Sequence, residues 1–234
     1  DGGGSMGAAL YCYWHGRDEA RPREPHNPLL GPAYDEQDMQ AALHAAGLPF
    51  RRLDDETLFR RTAELIARDQ IVGWFQGRME FGPRALGNRS ILANATNAAM
   101  KDIINARIKF REDFRPFAPA VLEERAAQWF DLDGPSPYML LAPQVLPGQG
   151  ARIPAVTHCD NSARVQTVRA ADNPRLHRLI AAFEALSGVP VVMNTSFNVR
   201  GEPIVCSPQD ACNCFLKTDL DFLVMGNFLV DKGF

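Results

Sequence analysis

Apolar residues recur along the chain in two rhythms, a helical one of three to four residues and an alternating one of two. A Gly-rich opening leads into a small-residue helix from Met6 to Tyr13, a feature that could seat an anion or simply pack closely. Residues 17–34 carry Pro22, Pro25, Pro28 and Pro32 and follow neither rhythm, so they read as a surface strap. Asp35 is placed to cap a helix, with Asp38 in the reciprocal position and Met39, Ala42, Leu43 and Ala46 as its inner stripe. A helix from Asp55 to Asp69 follows, then a strand at Ile71–Phe75 and a return to order at Ile91–Ala93. The spacing of Met100, Ile103, Ile104 and Ile108 predicts a helix over 97–108. Further expectations are a strand at 120–122, a helix at 123–130 and a hairpin within 156–168. Pro174 opens a helix to Ser187, Gly188–Met193 is a buried strand, and Pro208 opens a helix to Lys217. Phe222–Met225 and Phe228–Val230 flank Gly226-Asn227 as a closing hairpin. Helices and strands mix without strict alternation and without an internal repeat, which places the chain in the α/β or α+β class.

Three polar interruptions carry the candidate chemistry. Residues 76–90 hold three glycines, a proline and three arginines, a composition no regular element accommodates. In Lys109–Pro119 cations are separated by aromatics and followed by prolines. On an extended backbone Lys109 and Arg111 would share one face, roughly 6.5–7 Å apart, a spacing that straddles an acyl phosphate. Pairing with Glu112, Asp113 or remote acids is the alternative. In Asn194–Pro203, Ser196 and Asn198 would face one side with Phe197 in the core, and Gly201 would permit a positive φ in the turn after Arg200. The alternative is a self-bonded turn. Arg164 is either an ion-pair partner of Asp160 or an anion contact, and His158 either a base or a structural histidine. No Ser-His-Asp set, activated cysteine or Walker-type loop occurs, so any catalysis would come from positioning and charge stabilisation.

Composition narrows the picture. The 234 residues are 46% hydrophobic and 23% charged, with a net charge of −3. The acidic total argues against broad nucleic-acid binding. Between Arg84 and Arg115, however, seven cations meet three anions, a local +4 suited to a small anion. Five cysteines without metal spacing read as reduced, mostly buried thiols of a cytoplasmic protein. The sequons at Asn88, Asn94 and Asn194 read as accidental. With no apolar stretch of membrane length, no signal peptide and no initiator Met, the chain is expected to be a soluble portion of something longer.

Four segments, in order, carry a resemblance: Phe81–Ser90, Lys109–Pro119, Pro154–His158 with Ser162–Thr167, and Asn194–Pro203. Together they closely resemble the C-terminal part of the NodU/CmcH carbamoyltransferases. Lys109 and Arg111, with Ser196 and Asn198, also match the Lys-X-Arg and Ser-X-Asn signature of YrdC-like domains. The resemblance implies a YrdC-like twisted mixed sheet with flanking helices over 47–234. Residues 1–46 would be the tail of an actin-like-ATPase-fold domain plus the Pro-rich strap. It implies an O-carbamoyltransferase portion that binds carbamoyl phosphate and ATP, with Mg2+, and forms carbamoyl-adenylate for transfer to an acceptor hydroxyl. Carried over as catalytic are Lys109, Arg115 and Ser196; as substrate- or nucleotide-binding, Arg84, Arg89, Arg111, Arg164, Asn194 and Asn198. Asp1 would be a ligand of a transition metal, iron, whose other ligands belong to the N-terminal domain of the intact protein. Competing classes are an RNA-binding YrdC-like module, a carbamoylating maturation factor acting on a thiol, and a non-catalytic interaction domain.

Overall fold

Apolar, β-branched runs assemble into one open mixed sheet. In the computed structural model, which describes residues 3–20, 27–110, 112 and 115–232, it has eight strands. They are β1 (Phe50–Arg52), β2 (Val72–Phe75), β3 (Arg89–Asn94), β4 (Ala118–Leu122), β5 (Gln166–Val168), β6 (Val191–Ser196), β7 (Phe222–Met225) and β8 (Phe228–Asp231). Their order is β1-β8-β7-β2-β3-β6-β4-β5, parallel at β2/β7 and β4/β5 and antiparallel at the other pairings. β2, β3 and β4 are buried along their whole length, although β3 carries Arg89, Ser90 and Asn94 among its apolar residues. The α/β expectation is met.

The helices are α1 (Gly4–Trp14), α2 (Glu36–Ala45), α3 (Asp55–Ala67), α4 (Met100–Ile104), α5 (Pro174–Ser187) and α6 (Pro208–Lys217). Local capping chemistry sets several of their starts. Asp35 and Asp38 form the reciprocal box on α2, Ser207 and Asp210 repeat it on α6, and Asn173 caps α5 ahead of Pro174. α3 and α5 pack together against the central strands, α6 covers β2 and β7, and α2 lies against α6. Met39 and Leu43 of α2 join the main core, so packing is continuous across residues 46 and 47. α1 buries none of its residues.

Several local expectations are corrected. The helix over 97–108 is α4 followed by a π-helical turn, Asn105–Lys109, and Phe110 ends it in the left-handed region at φ 45°. Lys109 therefore does not lie on an extended strand; the helical ending carries its ammonium toward the end of β6. The hairpin within 156–168 does not form. Pro154 and the Asp160–Ser162 turn occupy the segment, and β5 pairs in parallel with β4 instead. Residues 123–130 give only a 3-10 helix, Glu123–Gln128. Of the cysteines, only Cys212 and Cys214 are buried, and burial pushes both thiols up to about 11; Cys12 and Cys159 are exposed and Cys206 half-buried, all five being free. β6 also runs to Ser196, so Asn194 belongs to the strand and not to the loop after it. All three sequon asparagines are buried.

Candidate functional site

The site is assembled where β6 lies between β3 and β4. Ala118 stands directly opposite Asn194, and Ser90 opposite Ser196. This register joins the segments around positions 118 and 195, which are far apart in sequence. Side chains alternate along β6, so Asn194 and Ser196 share one face. Beside them opens a small cleft. Arg84 and Arg164 contribute to its wall, with Pro116, Ala118, Thr195 and Ser196.

Arg84 rides on the basic loop, which is folded around one buried carboxylate. Glu80 Oε1 accepts hydrogen bonds from the backbone N–H groups of Leu86 (2.7 Å), Asn88 (2.7 Å) and Arg89 (3.2 Å). Gln76 Nε2 donates to the Gly87 carbonyl, Asn88 and Asn173, stitching the loop to the start of α5. Gly87 sits at φ 103°, and a Cβ there would come within 2.3 Å of the buried Leu176. Neither Glu80 nor Gln76 was singled out from the sequence. The only signal was a carboxylate inside a Gly-Arg loop, and a carboxylate there is as often solvated.

Asn194 is 1% exposed. Its Nδ2 donates to Gln166 Oε1 at 2.7 Å and to the Ala85 carbonyl at 3.3 Å. Its Oδ1 is buried and has no hydrogen-bond partner among the described residues. Lys109 reaches the same strand end. Its ammonium donates to the Ser196 carbonyl (2.5 Å), the Asn198 carbonyl (2.9 Å) and Asn198 Oδ1 (2.8 Å), with Ser196 Oγ at 3.4 Å. Ser196 Oγ in turn donates to Asn198 Oδ1 at 2.7 Å, while Phe197 between them is fully buried. The Lys109 and Ser196–Asn198 segments thus meet directly.

The other anticipated residues divide. Arg89 is fully buried, and alternation along β3 places it on the face opposite Ser90 and Ser196. Its guanidinium stacks 3.7 Å over Phe75 and donates to carbonyls of Gln76, Gly77, Asn88, Pro32 and Cys206. Burial lowers its pKa to about 10. It is outside the cleft wall and ties strap, loop and sheet together. Arg115 pairs with Glu112 at 3.0 Å on the surface. Arg111 and Asp1 lie outside the described residues. His158 Nδ1 lies 3.0 Å from Ser162 Oγ, which donates to Asp160 Oδ1 at 2.7 Å. The serine hydrogen being spent on Asp160, Nδ1 carries the histidine proton. Burial holds His158 below its ordinary pKa. Among the described residues no group of three or more His, Cys, Asp or Glu could hold a metal ion, and Asp1, the one ligand expected from this chain, lies outside them.

Fold and geometry define a mixed-sheet α/β protein with a cleft lined by guanidinium, hydroxyl and amide groups. The sequence profile described as Carbamoyltransferase C-terminus matches residues 63–232, and the chain belongs to that family. It is 45% identical to nodulation protein NolO of Bradyrhizobium diazoefficiens, over 99% of this chain and 43% of that protein. It is 49% identical to the 3'-hydroxymethylcephem-O-carbamoyltransferase of Amycolatopsis lactamdurans, over 62% of this chain and 27% of that protein. The chain thus spans less than half the length of these relatives. A crystal structure of full-length HypF in the phosphate- and nucleotide-bound form aligns with a TM-score of 0.49 at 17% identity, over 78% of this chain and 22% of that one. No helix among the described residues is long and apolar enough to cross a membrane.

Proposed function

We propose that this chain is the part of an O-carbamoyltransferase that binds carbamoyl phosphate and ATP and forms carbamoyl-adenylate. The observation that supports this reading most is the cleft itself, where Arg84 and Arg164 stand beside the neutral groups of Asn194, Thr195 and Ser196. Guanidinium groups favour phosphate oxygens, and the neutral groups suit a carbonyl and an amide. In the proposed sequence water cleaves the P–O bond of carbamoyl phosphate, which releases phosphate and leaves carbamate; a carbamate oxygen then attacks the α-phosphorus of ATP and pyrophosphate leaves. Carbamoyl phosphate, ATP and water then balance carbamoyl-adenylate, pyrophosphate and phosphate. The substrate supplies the nucleophile, so the protein needs none. Lys109 and Asn198 hold Ser196 in place through the contacts described, and Arg111 and Arg115 are assigned to anion binding by the family resemblance alone. Mg2+ would arrive with the triphosphate and screen its charge. The acceptor hydroxyl and its recognition are assigned to the N-terminal domain of the intact protein, with 1–46 as the connection to it and 47–234 as the adenylate-forming unit.

Calorimetric titration with carbamoyl phosphate, with and without a non-hydrolysable ATP analogue, tests this. Arg164→Ala is expected to weaken carbamoyl phosphate at least tenfold, about 1.4 kcal/mol. A folded wild-type chain that binds neither carbamoyl phosphate nor the ATP analogue would overturn the reading.

A further inference from the structure

Asn194, which lines the cleft, carries a buried carbonyl oxygen that folding does not account for. Gln166 Nε2 donates to the Leu86 carbonyl at 2.8 Å, which fixes the Gln166 amide and turns Oε1 toward Asn194. Only a nitrogen of Asn194 can answer Oε1, so the Asn194 amide is fixed as well. Its second contact, to the Ala85 carbonyl, also requires a nitrogen. Oδ1 is therefore locked away from both partners, buried and unpaired among the described residues. A carbonyl removed from water without a donor is costly, and such atoms in folded proteins call for an explanation. Here the residue carrying it lines a cleft whose charged walls, Arg84 and Arg164, are donors only, while Thr195 and Ser196 add hydroxyls whose oxygens are neither planar nor fixed as a carbonyl acceptor is.

We infer that Asn194 Oδ1 is the acceptor that reads the –NH2 of the carbamoyl group, and so discriminates a carbamoyl phosphate from other acyl phosphates. This rests on the reading above that the cleft takes carbamoyl phosphate. The donors bind any phosphate or acyl oxygen and do not tell one acyl group from another. A carbamoyl group adds N–H donors on the carbon that bears the phosphate oxygen. An acetyl group presents a methyl at that position and would leave Oδ1 unpaired in the complex. Sites built to hydrogen-bond an N–H reject analogues that lack it, because a buried partner is then stranded.

The test compares carbamoyl phosphate, acetyl phosphate and inorganic phosphate by calorimetry on wild type, Asn194→Ala and Asn194→Leu. Leucine keeps the side-chain volume and removes the carbonyl. Wild type is expected to bind carbamoyl phosphate at least tenfold tighter than acetyl phosphate. Both variants are expected to lose that preference while holding inorganic phosphate as wild type does, which reports an intact arginine wall. Equal affinity of wild type for the two acyl phosphates, or a full preference kept by the variants, would overturn the inference while leaving the carbamoyl phosphate site standing. Failure of wild type to bind carbamoyl phosphate at all would remove the parent reading instead. If neither variant folds, the wild-type ratio of the two acyl phosphates decides.

Discussion

Glu80 is one carboxylate serving three backbone donors, and its removal strands them together. Glu80→Ala should cost about 3 kcal/mol or more, since hydrogen bonds to a charged group are the strong ones and the donors at Leu86, Asn88 and Arg89 are buried. A lowered urea midpoint at unchanged slope would show it, accompanied by weaker carbamoyl phosphate binding because Arg84 loses its footing. A wild-type midpoint would mean that the loop is held elsewhere. His158 adds a dependence on acidity. Its pKa lies below histidine's ordinary 6.5 in the folded chain, chiefly through burial, with Arg164 acting in the same direction and Asp160 against it. Near pH 6.5 the unfolded chain takes up a proton there that the folded chain refuses. Unfolding then gains protons, so this contribution is fully present above 6.5 and is lost as pH falls below it. Urea midpoints measured between pH 7.5 and 5 should fall, and His158→Gln should flatten that slope. Parallel curves for the two proteins would dismiss His158 as the cause.

At the level of elements, what could be read in advance was what ends an element locally. α5 and α6 begin where Pro174 and Pro208 follow their caps, α2 begins at its Asp35–Asp38 box, and the β7–β8 turn sits on Gly226. The π turn before Phe110 was not legible, because Ile104 and Ile108 keep a helical spacing and the oxygens that capture Lys109 come from a distant strand end. Arg84 and Arg89 look alike in one loop; only the entry of Arg89 into β3 separates a cleft residue from a buried tie. Short β1 carries two exposed arginines and had no apolar rhythm to announce it. Gly87 ties the loop to α5. Gly87→Ala combines a positive φ with a 2.3 Å approach to Leu176 and should destabilise the protein by about 2 kcal/mol or more, read as a lower melting temperature. An unchanged melting temperature would show that Leu176 gives way freely.

Across the whole molecule, the decisive fact is an antiparallel neighbour relation. Because β6 runs between β3 and β4, the basic loop, the Pro-rich entry to β4 and the polar end of β6 open on one hollow. Two arginines, Arg84 and Arg164, line it in a chain that is acidic as a whole. Carbamoyl phosphate affinity should accordingly weaken as salt rises from low to physiological concentration, measured by the same calorimetry. Insensitivity to salt would speak against the arginine pair as the anchor. Gln166, finally, stands behind this hollow and not in its wall, yet it dictates which end of a neighbouring amide looks inward. On the inference drawn for Asn194, selectivity would be edited from the second row: a donor in place of the Gln166 oxygen would swing the Asn194 amide around, exchange its buried oxygen for a nitrogen beside the notch, and change the preferred guest while every wall residue keeps its identity.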